Sequence, residues 1–267
     1  MVQRGRQEDH RVYNVMQLPM MLRALMMVTL IYLGVGADVY AQMRVIQPGR
    51  APVVVPSRPP TVAQQQPGSS SGIRLARLKY GGGGDWYNDP SAEVNLLMYV
   101  RTHTNISVDA TYEFVDLATD NLFLYPLIFM TGHGTVNFST QEVKRLRSFL
   151  ENGGFLYIDD DYGMDASIRK ELKKVFPEQN LVELPFSHPI YASHFTFSNG
   201  LPKIHEHDNK VPQGLGLFIG TRLCVFYTVE TNPSDGWADP EVHNDAPEKR
   251  DASLKLGTNI IVYALTH

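Results

Sequence analysis

The stretch STQEVKRLRSFLENGGFLYIDDD, residues 139–161, decides the fold. Ser139 and Glu142 have the spacing that closes a helix start reciprocally, each side chain reaching the other's backbone N–H. Val143, Leu146, Phe149 and Leu150 then recur at the three-and-four spacing of one helical face. Gly153 stands where a chain leaving a helix turns left-handed. Four apolar residues without alternation follow, Phe155 to Ile158, as a strand covered on both faces requires. They run straight into Asp159, Asp160 and Asp161. Adjacent carboxylates repel one another, so water, hydrogen-bond donors or a cation must answer them. A helix feeding a buried strand is half of a parallel α/β unit.

Outward from this unit the same alternation continues. Residues 72–80, GIRLARLKY, form a short apolar-rich strand ended by four glycines. Asp89 and Pro90 open a helix whose face carries Val94, Leu97 and Met98 and whose end is charged at Arg101. Residues 111–117 and 125–132 are two further strands, the second continuous and apolar. After the aspartates, Asp165 opens a helix carrying Ile168, Leu172, Val175 and Phe176, stopped by Pro177. The expected class is α/β: a three-layer α/β/α sandwich with a mainly parallel central sheet. An irregular C-terminal extension follows. In it, residues 216–229 form a hairpin turning at Gly220 and Thr221, which extends the sheet edge or covers its end. A last helix lies around residues 252–267.

The N-terminal part reads differently. Arg4, Arg6 and Arg11 precede an apolar run from Ala24 to Val35, and Val39 and Ala41 are small residues ahead of Gln42. That is the pattern of a secretory signal over residues 1–41, cleaved after Ala41, with Met20 or Met21 as an alternative start. An uncleaved anchor is the competing reading, but the run falls short of the roughly 20 residues a membrane span needs. No second stretch is long enough, so the mature chain has no span. Residues 42–72, rich in Pro, Gln and Ser, are a disordered linker, and residues 73–267 are a single domain. The expected location is exported, periplasmic or associated with the cell envelope.

Composition removes several functions. The chain has 24 Lys and Arg against 28 Asp and Glu, with no basic stripe interleaved with aromatics, so nucleic acid is not an expected partner. The single cysteine, Cys224, permits no internal disulfide and sits in an apolar strand, RLCVFYTV, where burial is the expected fate.

Ligands of an open parallel sheet collect beyond the carboxyl ends of its strands. Those ends bring forward Asp85, Trp86, Tyr87, Asp89, Asp116, His133 and Asp159 to Asp161. Gly81 to Gly84 are neither a P-loop, for want of a following Gly-Lys-Ser/Thr, nor a dinucleotide fingerprint. His133 lies between Gly132 and Gly134, exposed as a base or ligand, or bonded locally in a turn. Of three adjacent carboxylates at most two face one ligand, the third turning to solvent or a helix amide. Asp159, Asp160 and His133 are therefore candidates for catalysis and for a divalent metal, and a solvated turn is the alternative. Asp85, Trp86, Tyr87, His133, Asp159, Asp160 and Asp161 are the candidate ligand-binding set. HEHD at 205–208 lacks the spacing of a zinc helix, and Trp237, His243 and Asp245 belong to a pocket rim or to the surface. No Gly-x-Ser-x-Gly elbow occurs, which disfavours a serine hydrolase.

Several motifs in order, RLKYGGGGDWYNDP, LFLYPLIFMTGHG, LRSFLENGGFLYIDDD, FSHPIY and LKLGTNIIVYALT, resemble a family of uncharacterised bacterial domains, often exported. The resemblance covers nearly all of residues 73–267. It implies a fold like that of class I glutamine amidotransferases or flavodoxin, and no activity. Amidotransferase chemistry needs a cysteine at a strand-to-helix elbow. Here the third strand ends in His133, and Cys224 lies elsewhere. Three functions stay open. One is binding of an envelope protein, peptide or glycan in a polar pocket. The others are metal-assisted hydrolysis by the aspartate cluster with His133, and a structural or assembly role.

Overall fold

The computed structural model describes residues 72–267. The expected signal over residues 1–41 and the linker up to residue 71 lie outside the described residues. Seven strands form one sheet: β1 Ile73–Lys79, β2 Val108–Asp116, β3 Leu127–Met130, β4 Phe155–Asp159, β5 Val182–Glu183, β6 Gln213–Ile219 and β7 Arg222–Val229. Their order is β2-β1-β3-β4-β7-β6-β5. The first five in that order run parallel, while β6 is antiparallel to β7 and to β5. The helices are α1 Ala92–His103, α2 Thr140–Glu151, α3 Asp165–Val175, the short α4 Pro240–His243 and α5 Pro247–Thr266.

Two apolar clusters fill the two sides of the sheet. Leu146, Phe149 and Leu150 of α2 and Ile168, Leu172 and Val175 of α3 pack on Ile128, Met130, Leu156 and Ile158. Leu96, Leu97 and Val100 of α1 and Leu256, Ile260 and Ile261 of α5 pack on Leu127, Phe129, Phe155 and Tyr157. The alternating residues of β3 and β4 thus serve opposite layers, which is why neither strand has a polar face. The molecule is an α/β domain of three layers.

The 139–161 unit folds as its pattern dictates. Ser139 Oγ accepts the N–H of Glu142 at 3.3 Å, and Glu142 accepts the N–H of Ser139 at 2.6 Å. Gly153 takes φ of 100°, open to glycine at little cost.

Two expectations need correction. The first helix starts at Ala92, not Pro90, and Asp89 is itself left-handed, with φ of 44°. Its buried face is Glu93, Leu96, Leu97 and Val100, while Met98 is exposed. The cause is Arg77 on β1, fully buried, whose charge must be met. Both carboxylate oxygens of Glu93 meet that guanidinium, Nη2 at 2.6 Å and Nε more closely, and the rotation that turns Glu93 inward turns Met98 out.

The hairpin turns at Gly220 and Thr221 and extends the sheet beyond β4, the first of the two expected placements. β7 lies inside the sheet, between β4 and β6. Its residues from Leu223 to Val229 are all buried, the mark of an interior strand. As a consequence, the end of β7 and the start of β6 share an edge with the ends of β1, β3 and β4. Segments 192–212 and 230–246 are delivered there. Cys224 is buried in β7, and burial pushes its thiol up to about 11. Among the described residues, no helix is long and apolar enough to cross a membrane.

Candidate functional site

The chain runs from β1 outward to β2, then back across to β3, so the loops after β1 and β3 diverge and leave a crevice between them. Asp85 and His133 meet across it. Asp85 accepts the backbone N–H of His133, and its Oδ2 lies 3.1 Å from the ring Nδ1. Gly132 makes this approach feasible: a Cβ there would fall 2.5 Å from the Tyr80 hydroxyl and 3.0 Å from Asp85 Oδ1. The His133 ring is half exposed, and its Nδ1 is also 3.3 Å from Asp161 Oδ2.

The three aspartates part company at the end of β4. Asp159 is fully buried; Thr228 donates to one oxygen at 2.8 Å, and the N–H and hydroxyl of Ser234 donate to the other at 2.8 and 2.7 Å. Burial outweighs these donors and pushes its carboxyl up to about 7. Asp160 turns to the start of α3 and accepts the N–H groups of Met164 and Asp165 at 2.8 and 3.0 Å. That placement complements the positive end of the helix. Asp161 turns toward the loops at the open edge, holding Asn88 Nδ2 at 2.5 Å and Asn232 Nδ2 at 2.8 Å, and it lines the cleft there together with Asp160.

Around Asp161 the late segments bring in His205 and His207 of HEHD, His243 and Asp245, together with Asn232 and Asp235, which the sequence did not single out. His205 Nδ1 lies 2.7 Å from Asp235 Oδ2, and its Nε2 lies 3.2 Å from Asp245. His243 Nε2 lies 3.0 Å from Asp89 and 3.8 Å from Asp235 Oδ1. His207 Nε2 is 2.8 Å from Asn232 Nδ2. Burial, with Asp235 and Asp159 adding like charge, pushes Asp161 up to about 10. Burial also raises Asp235, but hydrogen bonding to His205 and the charge of His243 outweigh it and hold that carboxyl below its usual range. Two facing carboxylates are thereby set apart, one protonated and one ionised at neutral pH. His205, Asp235 and His243 each offer one ligand atom within 4.8 Å of the others, as do Asp89, Asp161 and Asp235.

The remaining candidates lie elsewhere. Trp86 packs edge-on against Tyr87 and Phe114, at ring distances of 5.2 and 5.0 Å, toward the β2 edge. Asp116 caps its own turn by accepting the N–H of Ala118 at 2.8 Å. Trp237 is not at a rim: it is buried, and its indole N–H donates to the Ser253 carbonyl at 2.9 Å. Asp85, His133 and Asp161 are brought together, whereas Asp159 and Asp160 are occupied by their own donors. Asn232 and Asp235 escaped notice because they lie about 70 residues after Asp161 and no helical or strand spacing links them to it.

Beside Asp161 an open cleft of about 360 Å³ is lined by Tyr162, Arg169, His207, Asp208 and Lys210 among others. The Tyr162 and His207 rings stack at 4.6 Å on its wall. A comparison with curated proteins finds no match. Residues 74–265, the site and both core layers included, match a family described as a domain of unknown function, DUF4159, and the chain belongs to that family.

Proposed function

We propose that this is an exported domain that binds a polar cell-envelope ligand, glycan or peptide, in the cleft at the C-terminal edge of a flavodoxin-like sheet. The observation that carries the reading is the cleft itself. An aromatic wall, Tyr162 on His207, stands next to a buried carboxylate, Asp161, with the ion pairs Arg169–Asp165 and Lys210–Asp208 also in the lining. Apolar surface with a few converging polar groups is the usual make-up of a small-ligand site. Strand order supports the fold assignment, since β2-β1-β3-β4 followed by a fifth parallel strand is the flavodoxin order, whose ligands sit at this edge. Export rests on the basic and apolar pattern of residues 1–41.

Soluble muropeptides test the reading, because they carry sugar and peptide together. Calorimetry on the full chain is expected to show saturable binding that weakens at least tenfold in Tyr162→Ala. Absence of binding, or binding indifferent to that substitution, contradicts it. The disaccharide alone and the stem peptide alone then assign the recognised part.

One observation favours hydrolysis as a second reading: His133 is half exposed and touches both Asp85 and Asp161. An imidazole placed by one carboxylate beside another has the geometry for moving a proton at the cleft mouth. The metal would then lie on the Asp161 side, as the Asp159 and Asp160 oxygens are taken. Cleavage of muropeptides followed by mass spectrometry, lost in His133→Ala while binding persists, is the expected result. No product from the parent chain, with or without divalent ions, ends this reading.

A further inference from the structure

Behind Asp161 the structure gathers more carboxyl groups than cationic neighbours. Asp89, Asp161, Asp235 and Asp245 converge there with His205 and His243. The nearby Arg77 is spent on Glu93 and on the carbonyls of Asn88 and Asp89. We infer that His205, His243 and Asp235 form a divalent metal centre whose best-matched ion is zinc.

Three independent features carry this. First, the three residues present one ligand atom each within 4.8 Å of one another. Second, Asp235 Oδ1, Asn232 Oδ1 and Asp245 Oδ2 are buried without a hydrogen-bond partner, on side chains at most 7% exposed. All three are oxygens with lone pairs, so what they lack is a donor or a cation, and Asp235 Oδ1 is the one on a residue of the centre, 3.8 Å from His243 Nε2. Leaving such buried atoms unanswered carries their full desolvation penalty. Third, Asp245 holds Nε2 of His205, which leaves Nδ1 for the centre. A carboxylate on the far nitrogen is the usual way a ligating imidazole is oriented.

The donor set selects the ion. Two imidazoles and one carboxylate suit a borderline ion, whereas calcium and magnesium favour oxygen cages. Three protein ligands leave a fourth position for water, as in catalytic zinc sites. Asp89 and Asp161 form a second cluster with the same Asp235, their ligand atoms within 4.8 Å of one another, and Asp161 also walls the cleft. The inference deepens the cleft reading by placing a Lewis acid behind its wall, yet ion uptake can be measured without any ligand. Zinc entry replaces the His205–Asp235 hydrogen bond, spreading two atoms now 2.7 Å apart toward the roughly 3.3 Å expected of tetrahedral neighbours.

The test uses the full chain, stripped with chelator and titrated with zinc chloride by calorimetry, with far-UV circular dichroism as the folding control. One ion per chain is expected. His243→Gln and Asp235→Asn should lose at least a hundredfold in affinity, and Asp245→Asn roughly 10–100-fold, the range for an orienting partner. Cys224→Ser should change nothing. No saturable uptake, uptake that survives in folded His243→Gln, or preference for calcium would overturn the inference. Should the variants fail to fold, X-ray absorption on the zinc-loaded parent decides: two imidazole nitrogens support it, while sulfur or an all-oxygen set overturns it. Loss of muropeptide binding with zinc uptake intact removes the cleft reading alone. The opposite outcome removes the metal centre alone.

Discussion

Three consecutive aspartates meet three different fates, and the difference lies in what each carboxylate faces. The end of β4 sends Asp159 inward, Asp160 to the amides opening α3 and Asp161 to the cleft. Backbone alternation makes divergence legible from sequence, and a carboxylate on a helix amide was among the readings it allowed. Which residue takes which role was not legible, because the partners Thr228, Ser234 and Asn232 lie about 70 residues away. The buried position of Asp159 has a measurable consequence. Its folded-state carboxyl is raised from 3.8 to about 7 by burial, so folding favours the protonated form. That contribution is complete below about pH 4 and is lost as pH rises through 7. In chelator-stripped protein, Asp159→Asn should therefore gain stability relative to the parent between pH 4 and 8, by up to about 4 kcal/mol. Urea denaturation at several pH values measures the gain. A difference independent of pH would mean that Asp159 folds in its ionised form.

At the scale of elements, local chemistry was readable wherever both partners lie within a few residues. Ser139 with Glu142, and Gly153 at the end of α2, needed no distant contact to be recognised. The start of α1 was misplaced because Asp89 and Pro90 have the form of a helix start, while the buried Arg77 sixteen residues before Glu93 decides the helix rotation. Which neighbour β7 joins was not legible, because a hairpin's sequence specifies its turn and not the strand beside it. The clasp between β1 and α1 makes a direct prediction. Removing one partner of a buried pair leaves an uncompensated charge, so Arg77→Met or Glu93→Leu alone should cost roughly 3–5 kcal/mol. The double variant Arg77→Met/Glu93→Leu should recover most of that loss in the same denaturation experiment. A double variant as unstable as the sum of the singles would show that the two charges are not coupled and would contradict the clasp.

For the molecule as a whole, the parallel arrangement concentrates the candidate site at one edge. Strands β1, β3, β4 and β7 all end there, and β6 begins there, so residues from Asp85 to Asp245 converge although 160 positions separate them. Composition and periodicity were enough for the α/β class and its main parallel unit. They could not supply the site, because half of it arrives through two irregular segments whose placement depends on the order of the last strands. The central claim is that these segments complete a cation centre beside the cleft. An anomalous difference map, collected at the zinc edge from crystals of the zinc-loaded full chain, tests it most directly. A single strong peak within bonding distance of His205, His243 and Asp235 is the predicted result. A map with no peak there, or with zinc only at surface histidines such as His103 or His267, would contradict it.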